Sequence, residues 1–311
     1  MKKFNYYSIA VIALGLFASG CSKEKITGPA KAEMLKDNYS TARNSGPTVA
    51  SVIANNTYFY ATGGSTSILF KGGTNVVFDG QGKVISGTIV NNTYFYATGG
   101  STSILFEGNT VVNFAVGQAG KVLSGTILNN TYFYATGGST SILFKGNTFV
   151  TFAAGDTGKV LSGILENNTY FYASGGSTSI LFLAGTVVNF ATGQPGKVIS
   201  GTLTNNTYFY GSGGSTSVLF LANSFITFDA GQPGKVLTGT LVNNTYFYAA
   251  GGSTSILFRG LTPVTFASGQ PGKLRSGTLN NNTYLYASGG STPILFLAGS
   301  VITFDNFGKV E

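Results

Sequence analysis

Between residues 121 and 158 the chain reads KVLSGTILNNTYFYATGGSTSILFKGNTFVTFAAGDTG. Turn chemistry divides this stretch into four short strands. The first is expected over about Lys121 to Leu128, and Asn129-Asn130 follow as a tight turn, because Asn tolerates positive φ. The second runs over Thr131 to Ala135. TGGSTS is a loop, and the third strand covers about Ser141 to Lys145. Gly146-Asn147 turn the chain again into a fourth strand, about Thr148 to Ala153. The segments are β-branched and aromatic with no 3.6-residue period. Outward from this stretch, NNTY recurs at Asn55, Asn91, Asn129, Asn167, Asn205, Asn243 and Asn281. One unit therefore fills the chain from residue 47 to residue 311 in seven copies of 36–38 residues, an all-β repeat architecture.

Two-residue turns between strands imply antiparallel neighbours and disfavour a parallel β-helix. Two arrangements remain: a seven-bladed β-propeller, or an elongated antiparallel solenoid or ribbon of stacked hairpins, as in MORN-like repeats. Ile142-Leu143-Phe144 is apolar on both faces, and Tyr132-Phe133-Tyr134 is large on both. An open single sheet would alternate apolar and polar residues, whereas a propeller blade is covered on both sides. Ser124-Gly125-Thr126 are small enough for a crowded axis. These features favour the propeller, with the ribbon as the alternative.

Composition narrows the chemistry. There is no His and a single Cys among 311 residues, which excludes a His-based triad, a His-ligated metal and an internal disulfide. Only 9% of residues are charged, while 25 are Phe and 17 Tyr, a balance that opposes disorder. The formal net charge of +8 is mild over this length, and its simplest reading is solubility.

The first residues read MKKFNYYSIAVIALGLFASGC. Lys2 and Lys3 precede an apolar run, Ile9 to Phe17, too short to span a bilayer. Small residues then lead to Cys21. This resembles the bacterial lipoprotein signal, with Ala18 where a Leu is usual. The resemblance implies removal of residues 1–20, acylation of Cys21 and attachment to a membrane through that lipid. Ser22, rather than Asp, after the cysteine implies sorting to the outer membrane of a diderm bacterium. Residues 21–46 are polar and of mixed charge and read as a tether. LFLAGTVVNFATGQPGKVISGTL (residues 181–203) is similar to tandem repeats of secreted bacterial proteins carrying F-x-x-G-T-x-V-x-F followed by G-K-V-x-S-G-T-L. It covers about half of each unit; TYFYATGGSTSILF departs from it.

Recurrent residues are the candidates for a site. Tyrosines come in i, i+2 pairs on one strand face: Tyr58 and Tyr60, Tyr94 and Tyr96, Tyr132 and Tyr134, Tyr170 and Tyr172, Tyr208 and Tyr210, Tyr246 and Tyr248, Tyr284 and Tyr286. On an open face they offer stacking planes and hydroxyls to sugars; on a packed face they are filler, the reading favoured from sequence. A lysine follows Gly in each unit: Lys83, Lys121, Lys159, Lys197, Lys235, Lys273 and Lys309. These form a cationic row for an anionic polymer or, the preferred reading, charged turns that block edge pairing. GGST is a polar loop or a self-bonded turn. The N-x-T triplets read as turns. Asp79, Asp229 and Asp305 share a slot held elsewhere by Ala, and Glu107 and Glu166 stand alone, so no paired carboxylates are expected.

The expectation is a non-enzymatic, lipid-anchored envelope protein with a repetitive binding face, lectin-like or adhesive, with no metal or cofactor. Its partners would be polysaccharide or an envelope protein, with no nucleic acid. A structural or protein-interaction scaffold is the alternative, and a propeller hydrolase or lyase ranks last.

Overall fold

A computed structural model describes residues 48–154, 158–194 and 196–311. The signal sequence, Cys21 and the tether lie outside the described residues. The described chain is all-β, and each of the seven units supplies four strands. In the third unit these are Val122–Ile127, Thr131–Tyr134, Ser141–Phe144 and Thr148–Phe152.

The strands pair in an order that the turns alone do not suggest. The fourth strand of the third unit lies antiparallel to the first strand of its own unit, with Val150 opposite Gly125. Its other edge pairs with Val160–Ile164, the first strand of the next unit. First and fourth strands thus alternate along one continuous sheet running from Val49–Val52 to Val301–Thr303. The second and third strands form a separate hairpin, Thr131 opposite Phe144 and Tyr134 opposite Ser141. Each hairpin lies over one face of the long sheet and touches it at parallel bridges such as Ala135 to Val160 and Tyr172 to Lys197.

Asn129-Asn130 and Gly146-Asn147 are therefore not hairpin turns. They are corners that carry the chain between the two layers, and they sit side by side. The Asn130 side-chain carbonyl accepts the Gly146 N–H at 2.7 Å. Asn147 N–H reaches Ile127 O at 2.7 Å. A Cβ on Gly146 would lie 2.7 Å from the Asn129 backbone, while Ala184, Ala222 and Ala298 hold the same corner in other units and donate the same bond to Asn168, Asn206 and Asn282.

The seven-bladed propeller is corrected by this topology. Propeller blades are separate four-stranded sheets that meet through side chains. Here backbone hydrogen bonds join each unit to the next, and the two ends of the ribbon, Val49–Val52 and Val301–Thr303, do not pair with each other. The small residues Ser-Gly-Thr of the first strand do not line an axis. Their glycine lies under the phenyl ring of the preceding unit's third strand. A Cβ on Gly163 would sit 2.7 Å from Cδ1 of Phe144, and the contact recurs from Gly87 with Phe70 to Gly277 with Phe258.

Side-chain alternation explains the layering. In the third strand Ile142 and Phe144 point inward and are buried, while Leu143 faces outward and is half-buried. In the second, Phe133 is buried between two exposed tyrosines. The inward phenyls pack ring on ring within and between units: Phe133 meets Phe144 at 5.9 Å and Phe152 edge-on at 5.4 Å, and Phe144 reaches Phe190 of the next unit at 6.4 Å. Each unit shields the one before it. Ile104 and Ile142 are 4% exposed, but Ile294 in the seventh unit is 51% exposed.

The outer face of the long sheet carries a polar ladder. Ser86 Oγ donates to Asn113 Oδ1 at 2.7 Å, Asn113 Nδ2 donates to Ser124 Oγ at 2.8 Å, and Thr227 and Thr238 share a 2.7 Å bond. These hydroxyls and amides satisfy one another across strands.

The second corner needs a residue at positive φ. Asn109, Asn147 and Asn223 adopt 55–60°, but the sixth unit places Leu261 there at 59°, 67% exposed. A left-handed β-carbon residue costs about 1–2 kcal/mol, and Asn carries less of that penalty. Leu261→Asn is expected to raise stability by about 1 kcal/mol, read as a higher urea midpoint with unchanged m-value.

Candidate functional site

The hairpin layer presents its tyrosines to solvent. The first Tyr of each pair is 64–68% exposed and the second 47–51% exposed in all seven units. The filler reading would require buried rings, so the face is open. Across each hairpin the first Tyr stands opposite Leu and the second opposite Ser, as in Tyr58 with Leu69 and Tyr60 with Ser67. The seventh unit substitutes Pro293 for that Ser. Every unit therefore adds two phenols, one leucine and one serine or proline to the outer face, with no carboxylate or amine among them.

The depth of this surface is small. Between the fourth and fifth hairpins a groove of about 100 Å³ is lined by Thr178, Ile180, Tyr208 and Tyr210, with Gly176 and Gly234 at its end. Enclosed small-molecule sites are usually about 300–1,000 Å³. The face suits a ligand laid along it more than one swallowed by it.

The lysines have structural work. Lys83 Nζ donates to Gly64 O at 3.2 Å, Lys235 to Gly214 O at 2.7 Å, Lys273 to Gly252 O at 2.8 Å and Lys309 to Gly290 O at 2.8 Å. Lys121 and Lys197 bond Gly100 O and Gly176 O in the same way. Each ammonium ties the start of a first strand to the GGST loop of the preceding hairpin. Lys197 also lies 4.8 Å from the centre of the Tyr172 ring, so the row borders the tyrosine face.

The GGST loops pack rather than open as pockets. Gly158 N–H donates to Thr98 O at 2.7 Å and Gly234 N–H to Ser174 O at 2.7 Å, bonds that reach across an intervening first strand. A Cβ on Gly176 would meet Gly234 Cα at 3.1 Å. Gln residues of the G-Q-x-G turns complete the joint: Gln118 Oε1 accepts from Thr98 Oγ1 at 2.7 Å and from Gly99 N–H at 2.9 Å, and Gln194 repeats this with Ser174 and Gly175. Sequence reading passed over these glutamines, although their recurrence within G-Q-x-G was the available signal.

Where Asp replaces Ala after the fourth-strand Phe, it takes over that role. Asp229 accepts from Ser212, from Ser268 at 3.2 Å and from Gly231 N–H at 2.9 Å. Asp305 accepts from Ser288 and from the Phe307 and Lys309 N–H groups. These are turn caps. Among the described residues no three of His, Cys, Asp and Glu come together as a metal-binding group.

A scan of protein-family models finds no match to this chain, and a search of curated proteins finds no relative. The units themselves supply a comparison. The outward position of the fourth strand varies through Val111, Phe149, Val187, Phe225, Pro263 and Val301. The residue after the third-strand Phe varies through Lys71, Glu107, Lys145, Leu183, Leu221, Arg259 and Leu297. The exposed tyrosines do not vary in any unit.

Burial pushes the Asp229 carboxyl up, but hydrogen bonds from Ser212, Gly231 N–H and Ser268 outweigh it and hold it below the ordinary carboxylate value. A lowered folded-state value gives stability that is present above the unfolded value, about 3.9, and is lost as pH falls through the folded one. Asp229→Asn is expected to lower stability by about 1 kcal/mol at neutral pH. Urea unfolding of both proteins should show that gap closing as pH falls below about 4.

Proposed function

We propose that this chain is a non-enzymatic, lipid-anchored envelope protein whose repeated tyrosine face binds carbohydrate. One observation carries the reading. Fourteen tyrosines stand about half or more exposed, and all seven units keep them while the outward position of the fourth strand and the residue after the third-strand Phe change. Exposed aromatic rings opposite leucine and serine combine apolar stacking area with hydroxyl donors and acceptors, the pair of contacts a sugar ring offers in return. Each site is shallow and weak alone, and seven in register multiply through valency. The lipid anchor rests on Lys2, Lys3, the run from Ile9 to Phe17 and the placement of the single cysteine at residue 21. Outer-membrane placement rests on Ser22.

A scaffold role is the second reading. It draws on the glycine-to-loop bonds that staple each hairpin across the next unit's first strand, since these would make a stiff spacer.

Two measurements test these readings. Changing Tyr132, Tyr134, Tyr170, Tyr172, Tyr208 and Tyr210 together to Ala should lower apparent affinity in a glycan-array or pull-down assay by about 10–100-fold, and the same six changes to Phe should lower it less. Unchanged binding would remove the tyrosines from the site, and a specific protein partner without saccharide binding would favour the scaffold. Separately, Cys21→Ser should abolish fatty-acid incorporation in growing cells and release the protein from membranes; continued membrane retention would defeat the anchor.

A further inference from the structure

The geometry points to an uncharged, extended β-1,4-linked polysaccharide as the ligand of the tyrosine face, bound as a single chain with one disaccharide per unit. The inference rests on the carbohydrate reading above and adds the ligand's charge, linkage and register.

Three observations select this class. First, the outward residues of the hairpins are Tyr, Tyr, Leu and Ser with no acidic or basic side chain. The lysines that border the face are held at its edge, their ammonium groups hydrogen-bonded to the Gly64, Gly100, Gly176, Gly214, Gly252 and Gly290 carbonyls. A neutral glycan laid on the Tyr, Leu and Ser side chains themselves desolvates no charge. Second, each unit advances the long sheet by two strands, one first and one fourth. At the ordinary strand spacing that is a repeat of about 9.5 Å. An extended β-1,4-linked chain turns over at each sugar, so its repeating length is a disaccharide, a little longer than this distance, and the chain keeps step with the row by running slightly oblique to it. An α-1,4-linked chain coils and has no such straight repeat. Third, the two tyrosines of a unit differ consistently in exposure, and the groove between the fourth and fifth hairpins lies beside Tyr208 and Tyr210. A disaccharide likewise offers two unlike contacts, one to each ring.

The ligand is one chain and not the face of a polysaccharide crystal. Sheets of many strands twist. A flexible chain follows a twisting row, whereas a flat crystal face loses contact after a few units.

The test is a length series of soluble β-1,4-linked gluco- or chito-oligosaccharides against the full-length protein, with α-1,4-linked malto-oligosaccharides alongside. The β-linked series should gain apparent affinity with each added disaccharide up to about fourteen sugars, a total of about 100-fold or more. The α-linked series should stop gaining after the first few sugars, and affinity for the β-linked chains should hold from low to high salt. Equal gains in both series, a plateau at two or three sugars, strong salt dependence, or preference for crystalline powder over soluble chains would each overturn the inference. If malto-oligosaccharides or charged glycans bind and the six Tyr→Ala changes remove that binding, the tyrosine-face reading stands and only the register fails. If no saccharide of any class binds, both fail together.

Discussion

The stack of a phenyl ring on a bare glycine backbone holds this repeat together. Phe70, Phe106, Phe144, Phe182, Phe220 and Phe258 are each fully buried, and each lies on the glycine of the next unit's first strand. Any side chain at Gly201 would place Cβ 2.6 Å from the Phe182 ring. The contact brings the hairpin layer down onto the sheet, so the two layers close without a gap. It also runs between units, which makes burial a property of neighbours. Burying each phenyl contributes about 1.5–3 kcal/mol, and every junction repeats that gain.

Side-chain alternation turns this contact into a surface. If the phenyls of the second and third strands face the glycines, the residues beside them face away. Those residues are the tyrosine pair, the leucine and the serine. The inward set is tightly specified by volume, with Phe–Phe contacts as short as 5.0 Å within a unit and of 6.3–6.5 Å between units. The outward set meets no such volume demand; its tyrosines recur in every unit, while its serine gives way to Pro293 in the seventh.

Much of this was legible in the sequence. The seven units, the four strands in each and their bounds within a residue or two followed from Asn, Gly and β-branched punctuation. The layering was not legible. Asn129-Asn130 has the composition of a hairpin turn and serves instead as a corner, because whether a tight turn reverses a strand or lifts it into another layer depends on which edges later find partners. Ile142-Leu143-Phe144 reads as apolar on both sides, and the strand does alternate; Leu143 is simply an apolar residue on an open face. That misreading led to the propeller, since a strand greasy on two sides was taken to need two covers. Tyrosine is equally ambiguous, being suited to filling a core or lining a wet surface. The lysine row gives no sequence signal of its partner, since a Lys after Gly does not say that its ammonium reaches a loop carbonyl of the preceding hairpin.

The proposed multivalent binding would need a rigid repeat. Seven shallow contacts add up only if their spacing stays fixed while a ligand spans them; otherwise each contact must first order its own unit and forfeits part of its gain. The chain meets that requirement twice. Backbone pairing of fourth and first strands fixes the step between neighbours. The bonds from Gly120, Gly158, Gly196, Gly234 and Gly272 to the loop carbonyls of Thr62, Thr98, Thr136, Ser174 and Ser212 then lock each hairpin across the next unit's first strand. A single-layer ribbon would flex at every junction. Two layers cross-bonded in this way hold the tyrosine pairs at one interval, as the proposed polymer ligand would require.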